Sequence, residues 1–360
     1  MSTPKETSDV ALGSHGSSEQ SSTATESDKQ TNVHAERYYK LHKFFGFTKG
    51  YNFPLWIIFA GGMLGFSLAK LQDLDYDGHF KHEFALVPGY WYYFSHGHFR
   101  YGMLIHLCCI LPAGILVVFQ FVPVIRHKFI LFHRINGYIV TLLGLVSNLS
   151  AFVVIRHDQG GGQRIAAQSV EYLMGIITTV GLLLAVYNVR RKQIDQHRAW
   201  MLRTWFWMGV TITARLINLA ATPIITRLGH HWAIWTCDEI DFLYRNMDMP
   251  FPESTWPECF LADGSLDVAR RVAVHANENS HILPEIGLSY TITFGTMLWV
   301  MLVIHTVGVE LYLAMTPREA ERLRRVSYEK QLEAGFRNPG SAGLVLDKWG
   351  DADAWTPKQQ

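Results

Sequence analysis

The sequence is short of charge, short of cysteine, and without a surplus of either sign. Asp, Glu, Lys and Arg make up 18% of its 360 residues, against about 25% in an ordinary soluble chain. With 32 basic and 31 acidic side chains the formal charge is +1. A nucleic-acid partner is therefore not expected, since binding one calls for a cationic excess that displaces counterions. Four cysteines exclude a small disulfide-rich scaffold. The chain has no GxGxxG, P-loop, GxSxG or HExxH motif, so it lacks the common signatures of dinucleotide, phosphate, acyl-transfer and zinc-hydrolase sites. What it does have is 49% hydrophobic residues, including 21 Phe, 15 Tyr and 11 Trp. That is too much apolar surface for disorder along the whole chain.

The missing charge is missing in blocks. No charged residue occurs in 53–69, 101–123 or 135–155. The window 170–189 carries only Glu171, 204–226 only Arg215, and 287–315 only Glu310 besides His305. A bilayer-crossing helix takes about 20 apolar residues. Five of the windows reach that length, and the first is extended by Lys70, whose stem can snorkel to the interface. The expected fold is an all-α, polytopic transmembrane helix bundle of six spans.

The connecting segments alternate in sign. Arg126, Lys128 and Arg134 lie between the second and third spans, and Arg190, Arg191, Lys192, Arg198 and Arg203 stand against Asp195 between the fourth and fifth. Arg37, Lys40, Lys43 and Lys49 precede the first span, and Arg318, Arg322, Arg324 and Arg325 follow the last. The other loops are acidic: 72–100 has four acids against two bases, and 227–285 has ten against four. The positive-inside rule then puts both termini in the cytosol. Span lengths suit the endoplasmic reticulum or the plasma membrane, and mismatch energies are too small to choose between them.

This gives a domain reading. Residues 1–50 form a cytosolic tail whose Ser/Thr/Glu/Gln-rich start reads as disordered, with no cleavable signal peptide expected. The first span is 51–72, a four-span core occupies 101–226, and 227–286 is a non-cytosolic acidic loop domain. The last span is 287–315, and a tail over 316–360 begins as an amphipathic helix (Pro317 to Glu333) and ends in Gly/Pro-broken coil. Gly61 and Gly65 form a GxxxG pair in the first span, a close-packing face within the chain or between copies. Gly160 to Gly162 read as a flexible turn.

Only the 227–286 segment is large enough to fold outside the bilayer. Cys237 and Cys259 flank a turn-rich stretch, and a disulfide between them would stabilise the fold by roughly 3 kcal/mol. Cys108 and Cys109 read as small packing residues. His96 and His98 lack a third ligand of clear spacing, so no metal site is expected. Asn148-Leu-Ser150 matches a glycosylation sequon but lies inside a span.

A charge within a span is costly and therefore a default functional hypothesis. Arg215 lies about 18 Å along its helix from Arg203, with Thr211 and Asn218 on the same face. Depth arithmetic places His106, Asn148 and Glu171 at a similar level. The five residues His106, Asn148, Glu171, Arg215 and Asn218 thus form a candidate intramembrane polar cluster, with Glu171 as the expected counter-ion of Arg215. It reads either as helix packing or as a polar pocket. A second constellation is on the cytosolic rim: His133-Arg134-Ile-Asn-Gly137-Tyr138 opens the third span, and His197-Arg198-Ala-Trp200-Met201-Leu-Arg203 opens the fifth. Such cations and Trp anchor helices at the headgroup level. Two imidazoles at one depth could also ligate a b-type haem, with Arg134 and Arg203 on its propionates. His305 reads as a hydrogen-bonded packing residue.

Together His106, Pro112-Ala-Gly114, Phe119-Gln120-Phe121, His133-Arg134-x-x-Gly137-Tyr138, the Gly160 to Gly162 turn, His197-Arg-x-Trp200-Met201-x-Arg203 and Arg215 resemble the membrane-protein family catalogued as domain of unknown function 2306, in its fungal type. The resemblance covers roughly 101–220. It implies a four-helix membrane core with His133, His197, Arg203 and Arg215 at the family's characteristic positions, and brings no established activity. Gly137-Tyr138 departs from the Gly-Arg-x-Tyr of many members.

The leading functional expectation is a membrane-embedded redox (b-haem) protein or an accessory enzyme acting on a lipophilic small molecule. The alternatives are a transporter or proton-coupled carrier, with Glu171, Arg215 and His106 as the coupling site, and a non-catalytic receptor or scaffold using its outer domain. The lack of a repeat between halves counts against transport. The residues leave the oligomeric state and the choice among these functions open.

Overall fold

The computed structural model describes residues 36–47, 49–81, 90–157 and 164–357. The expected tail over 1–35 and the Gly160 to Gly162 turn lie outside the described residues. Among the described residues, six stretches are helical, long and apolar enough to cross a membrane: Asn52–Leu74, Gly97–Gln120, Ile130–Val154, Ile165–Arg190, Ile194–Leu228 and Leu283–Ala314. They comprise α1 (Asn52–Ala69), α2 (Gly97–Gln120), α3 (Ile130–Val154) and α4 (Arg164–Arg190). The fifth consists of α5 (Ile194–Met208) and α6 (Val210–Leu228). The chain is an all-α polytopic bundle with one short pair of strands.

Helices neighbouring in sequence pack side by side, α2 on α3, α3 on α4 and α4 on α5, with α1 lying along α2. The close approach of α1 is not at its GxxxG pair: a Cβ on Gly61 or Gly65 would meet nothing within 4 Å. It is at Gly114 of α2, where an added Cβ would lie 2.2 Å from Ser67 Oγ.

The strands β1 (Trp232–Thr236) and β2 (Arg271–His275) pair antiparallel, with Trp235 opposite Val272. Thr236 then caps α7 (Cys237–Asn246) through a capping box with Glu239, satisfying two orphan amides at once. Cys237 and Cys259 are disulfide-bonded, their Cα atoms 5.7 Å apart. Trp235, Ile240, Tyr244, Trp256 and Val274 form the core of this unit. The same core includes Leu288 and Ile292, which lie at the end of α8 (Leu283–Thr291), so the unit is joined to the last span by packing. Tyr92 hydrogen-bonds Asp238, and Tyr93 donates to Glu239 at 2.9 Å. Burial first, then the bond to Asp238, pushes the Tyr92 phenol above its ordinary value.

The sixth stretch continues as α9 (Phe294–Ala314), which packs on α4, α5 and α6. Both long stretches are interrupted, and each interruption is stitched by a side chain of the other. At the α5–α6 break His305 of α9 donates through Nδ1 to the Phe206 carbonyl (2.6 Å) and meets Thr213 Oγ1 through Nε2 (3.0 Å). At the α8–α9 break Asn218 of α6 donates to the Tyr290 carbonyl (2.7 Å) and accepts from Thr293 Oγ1 (2.7 Å). A carbonyl released by a break inside a bilayer must find a partner within the protein, and these two do.

The last helix, α10 (Pro317–Glu333), packs on α5. The coil that follows is anchored by a buried amide network. Gln193 and Gln331, both fully buried, hydrogen-bond each other (3.0 Å), and between them hold the backbone of Gly340 and Gly343. Asn188 holds Leu344, and Ser327 Oγ accepts from Ile194 N at 2.8 Å. Residues 36–47, the turns at 121–129 and 191–193, and α10 share one face, with bonds from Val124 N to Phe45 O (3.2 Å), Tyr312 Oη to Asn52 Oδ1 (3.3 Å) and Gln331 Nε2 to Arg191 O (3.0 Å). This is the basic face. The disulfide-bonded unit lies on the opposite, acidic face.

Candidate functional site

His133 and His197 each stand fourth in their helices, α3 and α5. This equal register puts both imidazoles just inside the basic face. His197 Nδ1 donates to the Ala185 carbonyl at 2.9 Å, which fixes the ring and leaves Nε2 free of α4. His133 Nδ1 is buried without a hydrogen-bond partner. A buried imidazole nitrogen left unpaired costs about 1–3 kcal/mol, so it is a feature to be explained.

Two further donors in the same seam are orphaned. Gln120 Nε2, at the end of α2, and Trp205 Nε1, two turns beyond His197 on α5, are both buried without partners. Gln120 sits against Gly137, whose added Cβ would come 3.5 Å from Gln120 Oε1, and Gly137 is one turn past His133. Trp205 packs with Val117 of α2 and Val140 of α3. Here α3 packs on α2 and α4, α5 packs on α4, α9 and α10, and side chains fill the space between α3 and α5. Three unsatisfied nitrogens, two of them obligate donors, thus line an α2–α3–α5 seam, while Gln193 and Gln331 of the tail network are paired. Sequence reasoning picked out the two histidines and, within the family resemblance, Gln120; Trp205 carried no signal of its own, being one Trp among 11.

The arginines divide. Arg134 is exposed at the rim. Arg203 forms a bidentate pair with Glu310 of α9, Nε to Oε1 at 2.5 Å and Nη2 to Oε2 at 2.9 Å, and stacks over Trp200. Its fork is engaged, and is not open to a propionate in this conformation. Arg203 near the start of the fifth stretch and Glu310 near the end of the sixth lie at one depth, and that arithmetic would have paired them.

The intramembrane polar residues are distributed between helix contacts. His106 Nδ1 meets the Ser147 carbonyl (3.1 Å) and hydroxyl (2.9 Å), joining α2 to α3. Asn148 donates to Thr178 and Thr179, both at 3.0 Å, joining α3 to α4. Asn218 serves the α8–α9 break. Arg215 donates to the Thr211 carbonyl at 3.0 Å, and its guanidinium stands 5.5 Å from the ring centres of Phe66 and Phe294. Such aromatic faces favour a cation held away from water. Glu171 is half-buried on α4.

Fold and site together define a multi-pass α-helical membrane protein with paired imidazoles at its basic face. Residues 103–236 match the model of the family described as "Predicted membrane protein (DUF2306)". That stretch holds His133, His197, Arg203 and Arg215. No curated protein and no solved structure matches the chain.

Proposed function

We propose that this is a membrane-embedded redox protein that holds a b-type haem at its basic face, with His133 and His197 as the ligating residues. The observation that carries this reading is the imidazole pair itself. His197 is oriented by a backbone carbonyl in the manner of a metal-ligating histidine, and His133 has a buried nitrogen with no protein partner. A bound haem would supply one-electron chemistry; the chain's part is to fix the imidazoles and keep the seam dry. Arg134 is the basic side chain open to a propionate. The basic face is cytosolic in this reading, by the charge asymmetry of the loops, and the membrane is that of the endoplasmic reticulum or the cell surface.

The absorption spectrum of the full-length protein, purified in detergent from haem-supplied cells, tests this. A Soret band that shifts on reduction, and that is lost in both His133→Ala and His197→Ala, is the expected result. A protein without the band, at full haem supply, overturns it.

A second reading is favoured by a separate observation, the orphaned Gln120 amide and Trp205 indole. These are donors waiting for acceptors, and suit a lipophilic small molecule bearing carbonyl oxygens, as an accessory enzyme would bind. Mass spectrometry of an organic extract of the purified protein should then find a retained compound that Gln120→Leu loses. Transport is supported less, because His106, Asn148 and Asn218 are each engaged in helix-to-helix hydrogen bonds.

A further inference from the structure

The start of α10 borders a groove of about 440 Å³ lined by Pro317, Arg318, Glu321, Arg322 and Arg325. Its charges do not cancel. Glu319, just outside, is held by Arg322 in a two-bond fork of 2.8 Å each, and one oxygen of Glu321 accepts from Trp355. Arg325 Nε is buried with no partner. Two more cations face the same place from other elements. Arg198 of α5 reaches Thr316, next to Pro317, at 3.3 Å. Arg126, from the turn after α2, lies within the field of Arg198, Arg322 and Glu319. Its side chain has no hydrogen-bond partner among the described residues. Burial pushes the Arg126 guanidinium below its ordinary value, with Glu319 acting the other way. Five guanidinium groups therefore meet two carboxylates.

The place matters as much as the charge. The last span ends at Ala314 and α10 begins at Pro317, so the groove opens where the phosphates of a bilayer stand. Exposed apolar side chains occur at the neighbouring chain positions, Met315 two residues before Pro317 and Phe129 and Leu131 shortly after Arg126: Met315 is 71% exposed, Phe129 60% and Leu131 68%. An occupant would thus meet arginines at one end and hydrocarbon at the other. Clusters of basic residues immediately beyond a span recruit anionic lipid, and arginine matches phosphate with two parallel hydrogen bonds.

We propose that this groove binds the phosphate headgroup of an anionic phospholipid whose acyl chains lie against Phe129, Leu131 and Met315. The site is independent of the haem reading. It draws on α10, the turn after α2 and Arg198 of α5, and neither imidazole takes part.

Native mass spectrometry of delipidated full-length protein, titrated with phosphatidic acid, phosphatidylcholine or glycerol 3-phosphate, decides the matter. One phosphatidic acid should be retained, at least about tenfold more tightly than phosphatidylcholine, with a loss of roughly fivefold for each arginine removed. Arg318→Glu is the first variant, because its exposed side chain cannot unfold the protein. Arg126→Ala follows, with Arg126→Lys expected to restore part of the binding. Equal retention of the two lipids, or phosphatidic acid binding unchanged in Arg318→Glu and Arg126→Ala alike, overturns the proposal. Glycerol 3-phosphate binding as tightly as the lipid would make this a site for free phosphate esters and overturn the lipid assignment.

Discussion

Gly295 at the start of α9 shows how closely the helices approach: a Cβ there would lie 2.6 Å from Ala167 N and 3.0 Å from Ala166 C. Both obstacles are backbone, which cannot swing aside as a side chain end can. Gly295→Ala should therefore lower the thermal midpoint in detergent, at a cost of roughly 1–3 kcal/mol for overpacking. Gly61→Ala, facing open space, should leave it nearly unchanged. A midpoint equal to wild type in Gly295→Ala would remove the argument. None of this was legible in the sequence, where both are glycines in apolar windows and the more conspicuous motif is the open one. The candidate site residues were partly legible. His133 and His197 stand out because imidazoles are rare beside apolar runs and the two share a register. The Arg203–Glu310 pair was hidden by attention to Arg215, the lone charge of its window. Arg215 itself is met by the Thr211 carbonyl and two aromatic faces.

Among the elements, the long helices were written plainly in the charge-free windows, since no other backbone form satisfies itself in a bilayer. The breaks at Gly209 and at 292–293 were not, because Gly and Thr are ordinary in membrane helices and the partners that make a break tolerable, His305 and Asn218, sit on another helix. The β pair was also missed. Trp232–Thr236 and Arg271–His275 each alternate buried and exposed residues, but five residues of alternation inside an acidic, turn-rich loop is a weak signal. This unit rests on the Cys237–Cys259 bond, which closes a separation of 22 residues. Closing a loop of that size contributes roughly 3 kcal/mol. The Cys237→Ser, Cys259→Ser double variant should be cut by trypsin at Arg245, in α7, much faster than wild type. The bundle's helical circular dichroism should persist, because the spans hold their own contacts. Cleavage at the wild-type rate would show that the Trp235 core alone suffices.

For the molecule as a whole, the sequence announced a near-neutral chain, and the fold resolves that neutrality into a basic face and an acidic one. The C-terminal coil shows the limit of reading by composition: its glycines and prolines read as loose chain, yet its backbone amides are taken up by Asn188, Gln193 and Gln331 on other elements. Burial of those amides far along the chain leaves no local pattern to find. One ion pair completes this docking, Arg324 to Asp347 at 2.5 Å, with the Ser341 hydroxyl on the other carboxylate oxygen. Burial alone would raise the Asp347 pKa, but Ser341 and Arg324 outweigh it and hold the carboxyl below its ordinary value. A carboxyl depressed in the folded state stabilises it fully above the unfolded pKa of about 3.9, and that contribution fades as pH falls through the lower folded value. The tail should therefore stay docked from neutrality down to about pH 4 and loosen below it. Amide exchange at 340–344 reports this directly, since those amides are protected only while docked. Asp347→Asn should show faster exchange at neutral pH and lose the acid-dependent step. Wild-type exchange that stays flat through pH 3 would mean the buried amide network, and not the ion pair, secures the tail.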